Sequence, residues 1–187
     1  MIPRVQKVVD EIAYHRARFE DFCRSLSAEE LAREVPESEW TVQDYIAHLA
    51  TIDQTVTRWF DALARGETST REPSSDRTER HFDIDIWNNR QVEKRRANTV
   101  DELFAEAARN REAIAAVMDR FTDKVIDGEI YFPGDKHRAP MNLKLEHYLL
   151  GWAKHDPIHV RDQLRALPER RDEPALVNWL AEAKIPS

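Results

Sequence analysis

Residues 142–164 read NLKLEHYLLGWAKHDPIHVRDQL. Leu145, Tyr148, Leu149, Trp152 and Leu164 recur at the three- and four-residue intervals of a helix with one inner side. His155 and His159 fall on that side, four positions apart, so their imidazoles can converge on one ion. The stretch reads as the last long helix of the chain. It also supplies two members of a ligand set that needs a third from elsewhere.

The rest of the chain repeats the helical pattern. Over residues 3–26, Val5, Val8, Val9, Ile12, Phe19, Phe22 and Leu26 mark a first core-facing helix, with Cys23 on its apolar face as a buried, inert thiol. A turn through residues 27–39 leads to Trp40 and then to Thr41-Val-Gln-Asp44, a near match to a capping box. The second helix begins there and runs Val42, Tyr45, Ile46, Leu49, Ile52, Val56, Trp59, Phe60 and Leu63, with Gly66 as its stop. Residues 67–81 are polar and aperiodic, the mark of a surface loop, and a short helical stretch from about 83 to 96 follows. Asn88 and Asn89 in it read as polar residues on an exposed face, or as amides offered to a ligand. Thr99-Val-Asp-Glu102 caps a third helix through Leu103, Phe104, Ala107, Ile114, Val117, Met118 and Phe121. Residues 125–132 permit a hairpin turning at Asp127-Gly128-Glu129, or an irregular loop given Pro133-Gly134. The fourth long helix then starts at Asn142, and a short C-terminal helix runs from Pro174.

Four long helices, only 4 Gly, and 41% hydrophobic with 34% charged residues in 187 describe an all-α protein, a four-helix bundle in one domain spanning residues 1–187. A net charge of -7 argues against nucleic acid as a partner. The basic run Arg90–Arg96 alternates with other residues, as a solvated helix face does. One cysteine excludes an internal disulfide framework, and the absence of a long apolar run or cleavable leader points away from a membrane and to the cytoplasm.

His48 interrupts the apolar stripe of the second helix, three residues after Tyr45 and four before Ile52. A histidine there is commonly a satisfied core residue. Burial of the ring nevertheless costs free energy unless both nitrogens have partners, and a metal with a nearby carboxylate provides them. His48, His155 and His159 lie on inner stripes of two helices, so they meet if those helices are neighbours. Three histidines leave coordination positions open, as catalytic sites do.

Trp40-Thr-Val-Gln-Asp-Tyr-Ile-Ala-His48-Leu-Ala-Thr-Ile-Asp53, Trp87-Asn-Asn ahead of the Thr99 helix, and Trp152-Ala-Lys-His155-Asp-Pro-Ile-His159 resemble, in order and spacing, the DinB/YfiT-like family of metalloenzymes. The resemblance implies an up-down-down-up bundle and a divalent metal, zinc or nickel, held by His48, His155 and His159. Related families include thiol-dependent isomerases and transferases that use a low-molecular-weight thiol such as mycothiol, bacillithiol or glutathione. A homodimer is common in the family, whereas the exposed faces of this sequence offer no decisive apolar patch.

On this reading the protein is a metal-dependent enzyme for a small-molecule substrate, a thiol-dependent transferase or isomerase, in a pocket lined by Tyr45, Trp87, Trp152 and His15. The alternatives are a metal-dependent hydrolase and a non-catalytic binding protein that sequesters reactive small molecules. Asp44, Asp156 and Asp162 are candidates to orient the ligands from behind, each about a turn or less from one of them. Pro157 departs from the ideal pattern: either it kinks the helix, or Asp156 caps a restarted helix with Pro157 at its first position. His147 is a rival ligand placed about 80° around the helix from His155, and His81 and His137 lie in or near loops.

Overall fold

The computed structural model describes residues 1–67, 84–132 and 139–185. The polar segment 68–81, with His81, and the stretch around Pro133-Gly134 and His137 lie outside them. In chain order the elements are α1 (Pro3–Ser25), α2 (Ala28–Leu31), α3 (Val42–Ala64), α4 (Ile84–Glu93), α5 (Val100–Met118), α6 (Asp123–Ile126), β1 (Glu129–Phe132), β2 (Met141–Lys144), α7 (Leu145–Ala153), α8 (His155–Gln163) and α9 (Pro174–Ala183), with a 3-10 turn at Pro168–Arg170.

The starts of α3 and α5 are fixed by side chains. Thr41 accepts from the Asp44 amide while Asp44 accepts from the Thr41 amide, and Thr99 and Glu102 do the same for α5. Residues 27–39 hold more order than a turn: Ser27 and Glu30 close a third capping box and begin α2. After α3, Gly66 takes a φ of 75°, a conformation that costs a glycine little.

The course of the chain can be read from its long-range contacts. Gln43 reaches Asn98, Asn110 reaches the Ala50 carbonyl and Arg120 reaches Asp61, so α3 and α5 run parallel. Arg4 pairs with Glu146 and Arg16 with Asp156, so α1 and the α7–α8 rod are also parallel. Val5, Val8 and Ile12 pack in one cluster with Val56 and Phe60 from the far end of α3, which sets α1 antiparallel to α3. The result is an up-down-down-up four-helix bundle. Two parallel neighbours need a long connection between them, and the α4-bearing link between α3 and α5 provides it. Arg95 from the basic run is not merely solvated, since it closes on Glu106 at 2.6 and 2.7 Å.

Expectations for residues 125–164 are corrected. Val125 and Ile126 belong to α6, and the strand partner of Glu129–Phe132 is Met141–Lys144, with Ile130 opposite Leu143. Asn142 therefore sits in a strand and the last rod begins at Leu145. That rod is also two helices, broken at Lys154 (φ −94°, ψ 10°). Pro157 is the third residue of α8, inside a first turn whose amides need no helical acceptor, so the break precedes the proline and Asp156 is not its cap.

The core has two apolar clusters, one around Phe19, Phe22, Leu49, Leu103 and Val160, the other around Ile12, Phe60, Ile114, Met118 and Leu149. Between them lies a layer of four charged side chains, one per rod: Arg16, Asp53, Arg111 and Asp156. Arg16 donates to Asp156 from Nε (2.8 Å) and Nη2 (3.0 Å), and Arg111 Nε lies 2.7 Å from Asp53. Burial pushes the Asp53 carboxyl above its ordinary range, against the pull of Arg111 and Arg16. Cys23 is buried, and burial pushes its thiol well up, away from a nucleophile's range.

Removing the α3 cap tests this local account. Thr41→Ala should lower the unfolding free energy by about 1 kcal/mol, seen as a lower urea midpoint at an unchanged slope. An unchanged midpoint would show that the cap contributes nothing.

Candidate metal centre

His48 projects from the first half of α3, two turns past the Thr41 cap, and His155 and His159 from the first two turns of α8. The fold brings all three together: one ring nitrogen of each lies within 4.8 Å of one from each of the others. Ring centroids are 4.9 Å apart for His48 and His159, 5.7 Å for His48 and His155, and 4.8 Å for His155 and His159.

Hydrogen bonding fixes one tautomer. His159 Nδ1 lies 3.0 Å from Asp162 Oδ2, and a carboxylate only accepts, so Nδ1 carries the proton. The lone pair of neutral His159 is then on Nε2, which faces Nε2 of His155 at 3.1 Å. Two zinc–nitrogen bonds of ~2.0–2.1 Å at a tetrahedral angle place their nitrogens roughly 3.3 Å apart, close to this separation. His48 is 3% exposed and its Nδ1 has no hydrogen-bond partner among the described residues. Burial, with His159 and His155 adding repulsion, holds its pKa well below the usual 6.5, so the ring is neutral. Convergent imidazoles, with His48 neutral and its Nδ1 orphaned, fit a divalent cation.

The other predicted residues divide. Trp152 packs its ring 5.0 Å from His155, and Tyr45 lies 5.4 Å from His159 while bonding Ser38 through its hydroxyl (3.2 Å). Trp87 is half-buried on α4 and makes no ring contact with the three histidines. Of the three carboxylates, Asp162 meets a histidine of the cluster, His159; Asp44 is engaged in the α3 cap and near Arg96 (3.5 Å), and Asp156 with Arg16. His147 is exposed. In the Asn pair, Asn89 accepts from the Trp40 indole at 2.9 Å, and Asn88 is buried rather than exposed.

One wall residue was not anticipated in that role. Trp40 lies 5.0 Å from the His48 ring and 5.1 Å from Tyr45. It stands just before the Thr41 cap, with Tyr45 at the fourth helical position, and that spacing is the signature of a hydrophobic staple. Asp53 was also missed: it accepts from the Trp152 indole at 3.1 Å and so holds the ring that packs on His155.

His15 is held elsewhere, against α9: Trp179 donates its indole N–H to His15 Nδ1 at 2.8 Å, and Glu11 lies 3.9 Å from Nε2. Burial lowers the His15 pKa below 6.5, against the opposing charges of Glu11 and Asp156. The unfolded chain therefore takes up a proton near pH 6.5 that folded His15 refuses. Stability from this group is complete above that pH and falls as pH drops below it. His15→Asn, which keeps an acceptor for Trp179, should give a shallower decline in urea-unfolding free energy between about pH 6.5 and 5. An unchanged slope would remove His15 from the acid response.

A sequence profile for the DinB superfamily matches residues 11–162. No curated protein matches the sequence. Among solved structures, the crystal structure of the mycothiol-dependent maleylpyruvate isomerase superposes with a TM-score of 0.60 at 12% identity, covering 87% of this chain and 61% of that one. A histidine-to-alanine mutant of that isomerase matches with the same TM-score and coverage at 11% identity. This chain thus spans about three-fifths of the isomerase's length, and the likeness is one of fold. With the profile covering most of its length, the chain belongs to the DinB superfamily.

Proposed function

We propose that the protein is a divalent-metal-dependent enzyme for a small-molecule substrate, with His48, His155 and His159 as ligands to zinc or nickel. We further propose that a low-molecular-weight thiol takes part, in a transfer or isomerisation. The observation that carries the reading is the cluster itself: three neutral-capable imidazoles within 4.8 Å, with Asp162 turning the His159 lone pair inward. Membership of the superfamily and the fold shared with a mycothiol-dependent isomerase support the thiol component. A cytoplasmic location suits it, since thiols are kept reduced there.

When bound, such an ion supplies Lewis acidity and favours deprotonation of water or a thiol. The chain's own residues do the rest. Asp162 accepts the Nδ1 proton of His159 and holds the ring in one orientation. His48, deep in α3, contributes a ring already stripped of water, so no solvation is lost there when a cation arrives. Trp40, Tyr45 and Trp152 flank the three rings and shield them from bulk water, presenting flat apolar faces to a substrate.

Tag-free protein purified without added metal should carry about one divalent ion per chain by elemental analysis, and His48→Ala, His155→Ala and His159→Ala should each lose it. Stoichiometric metal that survives all three substitutions overturns the assignment. With cobalt in the site, adding a low-molecular-weight thiol should shift the visible absorption. No shift with mycothiol, bacillithiol or glutathione would count against the thiol and for hydrolysis or sequestration.

A further inference from the structure

The charged layer stands in a particular relation to the histidines. Arg16 Nη2 donates to the carbonyl of Leu49 at 3.3 Å, and Leu49 follows His48 in α3. The same guanidinium grips Asp156, which follows His155 in α8, at 2.8 and 3.0 Å. One side chain of α1 thus touches the residue after each of two histidines that lie on different helices. A second brace runs beside it: Trp152, three residues before His155, is tethered to Asp53, which is paired with Arg111, and Arg111 Nη2 also comes within 3.9 Å of Asp156.

The backbone explains the need for such a brace. The hydrogen-bond ladder is interrupted at Lys154, and Pro157 has no N–H to return to the Ala153 carbonyl. Without a continuous ladder, α8 can pivot against α7, carrying His155 and His159 together relative to His48. Stability alone does not call for four charges at this level, because buried ion pairs can often be replaced by apolar side chains without loss. Geometry does, since a ligand set from two helices works only if their spacing is held within a fraction of an ångström.

We propose that Arg16 is a positioning residue of the metal centre: paired with Asp156 and bonded to Leu49, it sets the separation between His48 and the His155–His159 pair. This rests on the reading of those histidines as metal ligands. Arg16→Lys keeps the charge, and so avoids stranding Asp156, but loses the two-pronged grip. The double variant Arg16→Met/Asp156→Asn removes both charges together and leaves no unpaired ion in the core. The Arg170–Glu30 pair, a two-pronged contact of 2.6 and 3.0 Å outside the centre, provides the control as Arg170→Lys.

Cobalt affinity, from competition with a chelator, and the cobalt visible spectrum are the readouts. Arg16→Lys and the double variant should each weaken cobalt binding by roughly 10- to 100-fold and alter the intensity of the visible bands, while Arg170→Lys changes neither. Wild-type affinity and spectrum in both Arg16 variants overturn the proposal. So does an equal loss in Arg170→Lys, which would mark a general effect of destabilisation. Failure of the wild-type protein to bind cobalt, or binding unaffected by His48→Ala, would instead bring down the metal-site reading on which it rests.

Discussion

A guanidinium buried at the middle of a helical bundle constrains everything around it. Arg16 is 8% exposed, and a charge so placed must meet opposite charge and hydrogen-bond acceptors in good geometry. Asp156 and the Leu49 carbonyl meet it from two other helices, and Asp53 with Arg111 completes the layer. Sliding any one rod by a turn would strand a charge in the apolar cluster above or below. An apolar core tolerates such slips far better, because methyl groups are interchangeable partners. The layer therefore specifies the register of the bundle, and the register places the histidines.

The same layer explains why the centre can be electrically simple. Two arginines and two aspartates sum to no net charge, so the layer beside the histidines is a set of paired charges rather than a charged wall. Asp162 is the one carboxylate bonded to a cluster histidine among the described residues. The ring at His48 is neutral because it is buried, not because a carboxylate tunes it. A cation held there would keep most of its charge for whatever else it binds, which is what an electrophilic centre requires.

Much of this was legible in the sequence, and the failures have physical causes. Helical period and capping boxes located α1, α3, α5 and α9, since both signals are local. The meeting of His48, His155 and His159 was legible because all three lie on the inner sides of their helices. Partner choice is not local: residues 125–132 show strand character but nothing in them says that residues 141–144 are the other strand. The Ser27-Ala-Glu-Glu30 box carries the signal of α2 within a segment whose composition is that of a turn. The charged layer had a signal too. Arg16 lies four after Ile12, Asp53 four after Leu49, Arg111 four after Ala107 and Asp156 three after Ala153, each a charge on its helix's apolar stripe. One such position is noise; two of each sign on four helices are a set.

The last rod shows best how stripe and site differ. Its inner side, read as a single face, is two parallel stripes. Leu145, Leu149, Ala153, Asp156, Val160 and Gln163 are buried and continue in step across the break at Lys154. One position back runs a half-buried stripe of Tyr148, Trp152, His155, His159 and Asp162. The first stripe builds the core and the clamp, and the second builds the site. An imidazole pair on the core stripe would be sealed from any substrate, and on the outer face it could not reach His48. The flank satisfies both demands: one imidazole of the cluster is buried and two are half-buried. A break just before His155 lets α8 settle on that compromise without dragging α7 out of the core, at the cost of a joint that Arg16 and Asp156 must hold.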